Sequence, residues 1–195
     1  MSREYSSYGL ATYDKGDDFH SFRNLEWINN YYLPVVKEAL IKKGSILDIG
    51  SGNGRMFPLL KQHFGRVVGI DPFEKVHPYY MESCDYFEAT EFQDFKSSEK
   101  FDVLLFNQVI ALFFRFIIPT PTVEEIVSKI DELLKKDGEV HILEWPTNNS
   151  RNPIDFYDEE WTTVLNKYNL YVDFYCGENI DPNYGSTVVI IIKRK

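Results

Sequence analysis

The 195-residue sequence predicts an α/β fold, a mostly parallel sheet with helices on both faces. Three observations carry that reading. Ser45–Ile49 (SILDI) and Arg66–Ile70 (RVVGI) are short apolar runs bounded by glycine, and Met56, Phe57, Leu59, Leu60 and Phe64 recur between them at helical spacing. Strand, helix and strand in so short a span make a βαβ unit. Residues 122–136 form the clearest helix: Thr122 and Glu125 make a capping box, Val123, Ile126, Val127, Ile130, Leu133 and Leu134 share one face, and Gly138 closes it. Near the carboxyl end, residues 170–175 and 186–192 are β-rich runs joined by the turn DPNYG (181–185), a connection short enough for an antiparallel pair.

The remaining elements fall between these. Residues 25–43 hold one or two helices interrupted at Pro34. Pro58 falls in the early turns of the first βαβ helix, where a missing N–H costs least. Residues 101–106 (FDVLLF) read as a fully buried strand, residues 139–145 (EVHILEW) as the next one, and residues 158–167 as a further helix. The chain shows neither an internal repeat nor a low-complexity stretch. At this length one domain suffices, burying roughly 70% of the unfolded surface.

The charge balance narrows the partners. Twenty-one basic against 30 acidic residues leave −9, so no general field draws in nucleic acid or an anionic bilayer. Cys84 and Cys176 cannot build a disulfide framework and fit a reducing compartment. MSREYSSYGL, the first ten residues, lacks the apolar core of a secretion signal, and the most apolar stretch, residues 103–118, is broken by Asn107, Gln108 and Arg115. A cytoplasmic protein with no membrane span is the expectation.

Chemistry is expected at the carboxyl ends of the strands. DIGSGNG (residues 48–54) follows the first strand directly and opens its helix. Glycines there allow a tight turn and clear side chains from a ligand's path. Asp71 ends the next strand, where a carboxylate can accept two hydrogen bonds from ribose hydroxyls. A nucleoside ligand follows. The spacing is G-x-G-x-G rather than the G-x-G-x-x-G of dinucleotide folds, and Asp48 puts negative charge beside the loop, which suits a cationic ligand better than a pyrophosphate.

ILDIGSGNGR (residues 46–55) resembles motif I of the class I methyltransferases that use S-adenosylmethionine. VVGID (67–71) is similar to their second motif, FDVLLFN (101–107) to the strand that follows, and KDGEVHIL (136–143) to the stretch, usually ending in Gly-Gly, that leads into the fifth strand. The likeness covers residues 35–195, and motif I is its most specific part. The resemblance implies a Rossmann-like, seven-stranded, mostly parallel sheet with an antiparallel last strand. It also implies S-adenosylmethionine as cofactor, with residues 1–34 as a cap or lid over a domain at 35–195. Asp48, with the backbone of Gly50 and Gly52 and the intervening Ser51, would hold the methionine portion. Asp71 would take the ribose hydroxyls, with Pro72 and Phe73 packed near the adenine. Glu88 and Ala89, in FEATEF (87–92), would meet the adenine, and Asn107 would face the cofactor's amino acid end or the acceptor. Pro72 departs from the aliphatic residue most members carry.

Methyl transfer is an in-line displacement that needs donor carbon and acceptor aligned about 3 Å apart, so positioning can supply most of the catalysis. A base is required only where the acceptor must lose a proton early. His20, in the amino-terminal segment, and Glu144, at the end of the fifth strand beside Trp145, are the candidates for that role. Tyr13 resembles an aromatic that many small-molecule methyltransferases place beside the cofactor. His141, on a core strand, is expected to be structural. Residues 112–118 (LFFRFII) are expected to be core or a partner surface through which copies could associate, with a wall of the acceptor pocket as the alternative. Asn107 is followed by Gln-Val-Ile, not Pro-Pro-Tyr, so a DNA-base acceptor is disfavoured, and the cysteines lack the spacing of a metal site. A small molecule or saccharide-like metabolite, methylated on oxygen or nitrogen, is the expected acceptor. The competing readings are a nicotinamide-dependent oxidoreductase and a methyltransferase-like subunit without turnover of its own.

Overall fold

A computed structural model describes residues 4–5, 44–72, 78–107, 109–110, 113, 117–118, 120–144, 159–181 and 185–195. In chain order its elements are β1 (Glu4–Tyr5), β2 (Ser45–Ile49), α1 (Phe57–His63), β3 (Arg66–Ile70), α2 (Pro78–Met81), β4 (Tyr86–Glu88), β5 (Phe101–Asn107), β6 (Ile117–Ile118), α3 (Val123–Leu133), β7 (Leu134–Glu144), α4 (Glu159–Lys167), β8 (Leu170–Asp181) and β9 (Gly185–Arg194). Seven strands form one sheet in the order β4-β3-β2-β5-β7-β9-β8, and β1 pairs with β6 in a separate two-stranded ladder. Strands β4, β3, β2, β5 and β7 are parallel to one another, and β9 runs antiparallel to both β7 and β8. This is the α/β sheet the sequence predicts, with its antiparallel carboxyl-terminal pair.

Strand periodicity sorts the core into two layers. Ile46, Val67, Val103, Leu105, Leu143, Val189 and Ile191 share one face with Met56, Phe57, Leu60 and Phe64 from around α1. The opposite face carries Leu47, Ile49, Val68, Ile70, Leu104, Phe106, Val140 and Ile142, packed on Ile126, Val127 and Ile130 of α3 and Trp161 and Leu165 of α4. Burial on both faces explains why β2, β3 and β5 read as continuous apolar runs. Each such side chain contributes about 1.5–3 kcal/mol relative to exposure.

Local chemistry fixes the ends. Pro58 sits in the first turn of α1, where its absent N–H is harmless. Helix α1 presses so close to β3 that a Cβ on Gly69 would run into the Phe57 ring. At α3, Thr122 Oγ1 accepts from the Glu125 N–H at 3.2 Å while the Glu125 carboxylate accepts from the Thr122 N–H at 2.8 Å, closing the expected capping box.

The far end of α3 differs from expectation. The helix stops at Leu133, and Leu134 is extended (φ −85°, ψ 132°), fully buried and paired with Phe101 on β5. Pairing Leu134 with β5 satisfies backbone groups and buries its side chain, and it wins over another helical turn. The Arg194 guanidinium then takes the carbonyls of Asp131 (3.2 Å) and Leu134 (3.3 Å) that the helix end leaves over. Gly138 is needed for strand approach, not for closing the helix: a Cβ there would lie 3.0 Å from the carbonyl oxygens of Phe101 and Asp102.

Candidate active site

After β2 the chain runs out to β3 and β4 on one side, then returns to β5 on the other, so the strand order reverses between β2 and β5. A crevice opens at the carboxyl ends of strands at such a point. The glycine loop fills its floor. Gly50, Gly52 and Gly54 have φ of +69°, +57° and +84°, the left-handed region that side chains avoid. The Gly50 and Ser51 N–H groups both donate to Ile70 O, at 2.9 and 3.1 Å, and a Cβ on Gly50 would collide with Val109. Ser51 Oγ also donates to Ile70 O, at 3.4 Å.

Three polar side chains meet here on one sheet face. Asp48 pairs in register with Gly69 on β3 and Leu105 on β5. Since Ile49 is opposite both Ile70 and Phe106, Gly50 is flanked by Asp71 on one side and Asn107 on the other. Asp71 Oδ2 accepts from the Gly52 N–H at 2.9 Å. The Asp71 backbone in turn holds the loop after β4: its N–H donates to Glu88 O at 3.3 Å, and its carbonyl accepts from the Thr90 N–H at 3.1 Å.

Asp48 is 1% exposed, and neither of its carboxylate oxygens has a hydrogen-bond partner. Burial first, and the neighbouring Asp71 charge second, push its pKa from the ordinary carboxylate range up to about 7. Asn107 Oδ1 is likewise buried without a partner. Three orphaned oxygens in one crevice ask for hydrogen-bond donors, best carried by a cation. An α-ammonium fits the two Asp48 oxygens, ribose hydroxyls fit Asp71, and Asn107 Oδ1 is left for a further donor.

The other expected residues fall as follows. Pro72 is half-buried beside Asp71; Ala89 is exposed at the start of the loop after β4; the Glu88 carboxylate accepts from Tyr86 Oη at 3.0 Å. Glu144 is the last residue of β7, paired with Val188, and its side chain lies outside the described part of the structure. Tyr13, His20 and Phe73 lie outside the described residues. The Gly50 and Gly52 amides, expected to face the ligand, are engaged within the protein, so these two glycines offer space and curvature rather than free donors. His141 is fully buried with Nε2 2.9 Å from Glu139 Oε2, and Glu139 also meets Lys193 at 3.3 Å.

Phe113, from the apolar run after β5, is buried against Phe92 and Phe106 and so belongs to the core. Among the described residues no group of three or more His, Cys, Asp or Glu is placed to hold a metal ion. No helix among them is long and apolar enough to cross a membrane. A depression of about 410 Å³ lies at the opposite, amino end of the sheet; its charges are paired as Arg66–Glu99 and Lys135–Asp102, and it has no part in this crevice.

A family profile described as "Methyltransferase domain" matches residues 23–175. The chain belongs to that methyltransferase family. It is a methyltransferase dependent on S-adenosylmethionine, which sets aside the nicotinamide reading. No curated protein matches its sequence. The methyltransferase fold recurs in solved structures of low identity. The N-methyltransferase NodS from Bradyrhizobium japonicum WM9, in complex with S-adenosyl-L-homocysteine, superposes with a TM-score of 0.66 at 13% identity, covering 94% of this chain and 97% of that one. The 1,6-didemethyltoxoflavin-N1-methyltransferase of Burkholderia thailandensis gives 0.60 at 16% identity, covering 96% and 90%. The magnesium protoporphyrin IX methyltransferase of Synechocystis PCC 6803 gives 0.60 at 11%, covering 95% and 96%.

Proposed function

We propose that this methyltransferase modifies an oxygen or nitrogen atom of a small-molecule or saccharide-like acceptor, with nitrogen the better supported. The observation that carries the reading is the buried oxygen set at the strand switch point, Asp48 Oδ1, Asp48 Oδ2 and Asn107 Oδ1, all lacking donors. Asp48 accepts from the α-ammonium of the cofactor, Asp71 from the ribose hydroxyls, and the bare glycine loop gives the ligand room to pass between them. S-Adenosylmethionine, when bound, supplies an electrophilic methyl group on a sulfonium.

Asn107 ends β5 and pairs with Leu143 on β7, the strand that Glu144 ends. Its carbonyl can accept a hydrogen from the acceptor's N–H or O–H and so hold the attacking lone pair in line. An amide cannot take the proton away. A neutral amine attacks without prior deprotonation, whereas a hydroxyl needs a base, and this favours nitrogen. Two of the three compared proteins are named as N-methyltransferases, and one was solved with the small heterocycle 1,6-didemethyltoxoflavin bound. For a hydroxyl acceptor, His20 and Glu144 are the proposed bases. Residues 1–34, Tyr13 among them, are proposed to cover the cofactor and Phe73 to pack near its adenine, with the transfer domain at 35–195.

Calorimetry tests the cofactor site directly. S-Adenosylhomocysteine binds the wild-type chain, NADH does not, and Asp48→Asn weakens the former. Tight NADH binding with no response to the thioether would sink the reading. Screening amines against their hydroxyl counterparts for S-adenosylhomocysteine release then identifies the acceptor atom.

A further inference from the structure

Strand register carries one acid onto the crevice face far from the glycine loop. Asp48 pairs with Leu105, Leu105 with His141 and His141 with Ile191, so these four share one face of the sheet. Two residues along, Asn107 pairs with Leu143, Leu143 with Val189 and Val189 with Cys176, which continues that face. Thr187 stands two residues from Val189 and pairs with Glu178. Glu178 is therefore on the crevice face, two residues nearer its open end than the row of Asn107.

The hairpin that carries Glu178 outruns the rest of the sheet. Strand β7 ends at Glu144, opposite Val188, whereas β9 begins at Gly185 and pairs with β8 through Thr187–Glu178 and Gly185–Asp181. Three residues of β9 thus rise about 10 Å past β7, at the end where the crevice opens. Residues 168–192 hold Asp173, Glu178 and Asp181 but no Lys, Arg or His. The basic side chains that flank this stretch stand at the amino end of the sheet and are engaged there. Lys193 meets Asp173 at 2.8 Å and Glu139 at 3.3 Å, Lys167 meets Glu124 at 2.7 Å, and Arg194 meets Asp131. The hairpin therefore brings negative charge to the open end and no cation of its own to match it.

A second group on the same face calls for a ligand. Asn107 Oδ1 is buried without a donor, and with the cofactor's ammonium assigned to Asp48 the missing donor falls to the acceptor. From β5 to β8 is three strand spacings, about 14 Å, the reach of an extended aliphatic chain. We infer that the acceptor is a polyamine-like chain and that Glu178 is a specificity residue for it. The reacting amine donates to Asn107 Oδ1, and a second amine, protonated at neutral pH, pairs with the Glu178 carboxylate. This rests on the methyltransferase reading of the crevice and narrows its acceptor to a molecule with a distant positive charge.

The test is calorimetry of the full chain, loaded with S-adenosylhomocysteine, against aliphatic diamines of graded length and the monoamines of equal length. Wild type binds the best-fitting diamine about tenfold more tightly than its monoamine, the worth of one hydrogen bond between charged groups, and the advantage shrinks as salt is raised. In Glu178→Gln that ratio falls close to one, while affinity for the monoamine and for S-adenosylhomocysteine stays at the wild-type value. Glu178→Asp restores part of the ratio. A wild-type ratio near one at every length, or an unchanged ratio in Glu178→Gln, overturns the proposal. So does a wild-type chain that binds S-adenosylhomocysteine but no diamine. A Glu178→Gln chain that loses S-adenosylhomocysteine as well also overturns it, since the acid would then be serving the fold. Failure of wild type to bind S-adenosylhomocysteine at all is a different result, and brings down the cofactor site itself.

Discussion

The Asp71 carboxylate accepts a hydrogen bond from the Gly52 N–H at 2.9 Å, so the acid at the end of β3 holds the middle of the glycine loop that follows β2. One side chain thus ties together the two strand ends between which the cofactor is proposed to lie. It also raises the pKa of Asp48, second only to burial in effect.

Removing that acid therefore has two separable consequences. Asp71→Ala frees the Gly52 amide and deletes the proposed ribose contact, weakening S-adenosylhomocysteine binding by about tenfold to a hundredfold, the range for hydrogen bonds to a charged group. The same change lowers the Asp48 pKa by removing a neighbouring negative charge. Calorimetry measures the first effect, and NMR titration of the Asp48 carboxyl measures the second. An unshifted Asp48 would contradict the coupling.

Asp48 makes stability depend on pH in a stated direction. Its pKa is about 7 in the folded chain and 3.8 as an ordinary carboxyl, so between those values the folded state holds a proton that the unfolded state has released. Its contribution to stability is complete below pH 4 and is lost as pH rises through 7, up to about 4 kcal/mol. Asp48→Asn removes this dependence and is at least as stable as wild type at pH 8 in chemical denaturation without ligand.

The same group predicts a proton signature on binding. A cationic ligand favours ionised Asp48, so binding below pH 7 releases close to one proton and tightens as pH rises through 7. Calorimetry in two buffers of different ionisation enthalpy reads the number released. Asp48→Asn abolishes it.

Two glycines test the packing that shapes the crevice. Gly69→Ala drives a methyl into the Phe57 ring and separates α1 from β3, costing about 1–3 kcal/mol in denaturant. Gly50→Ala adds a left-handed backbone penalty to a clash with Val109, so it costs stability and also binding of S-adenosylhomocysteine.

Thr122→Ala serves as the contrast. It opens the capping box of α3, away from the crevice, and costs about 1 kcal/mol. Its S-adenosylhomocysteine affinity stays at the wild-type value.

Much of this architecture is written locally. The βαβ unit is legible because β2 and β3 are buried on both faces, which forces unbroken apolar runs, while α1 shows a single apolar stripe. Asp48 is legible because it stands at the end of β2 beside a loop whose three glycines take positive φ, and Asp71 because it directly follows β3. Leu134 is not: the string LLKKDG reads equally as the tail of a helix closed by glycine, and only its pairing with Phe101, distant in sequence, decides otherwise. The engaged Gly50 and Gly52 amides and the orphaned Asn107 Oδ1 are equally hidden. Sequence shows which groups a residue carries, and only the fold shows which of them are already in use.

The position of β9 bears on how the chain is assembled. It is the last of its three strands in sequence, yet it is inserted between β7 and β8. A polypeptide emerging amino end first must therefore hold β8 in waiting, with β7 presenting an unpaired rim, until the final strand threads the gap. During that interval the rim of β7 that β9 later covers lies open, and this is the stage at which that rim would be most prone to join a neighbour.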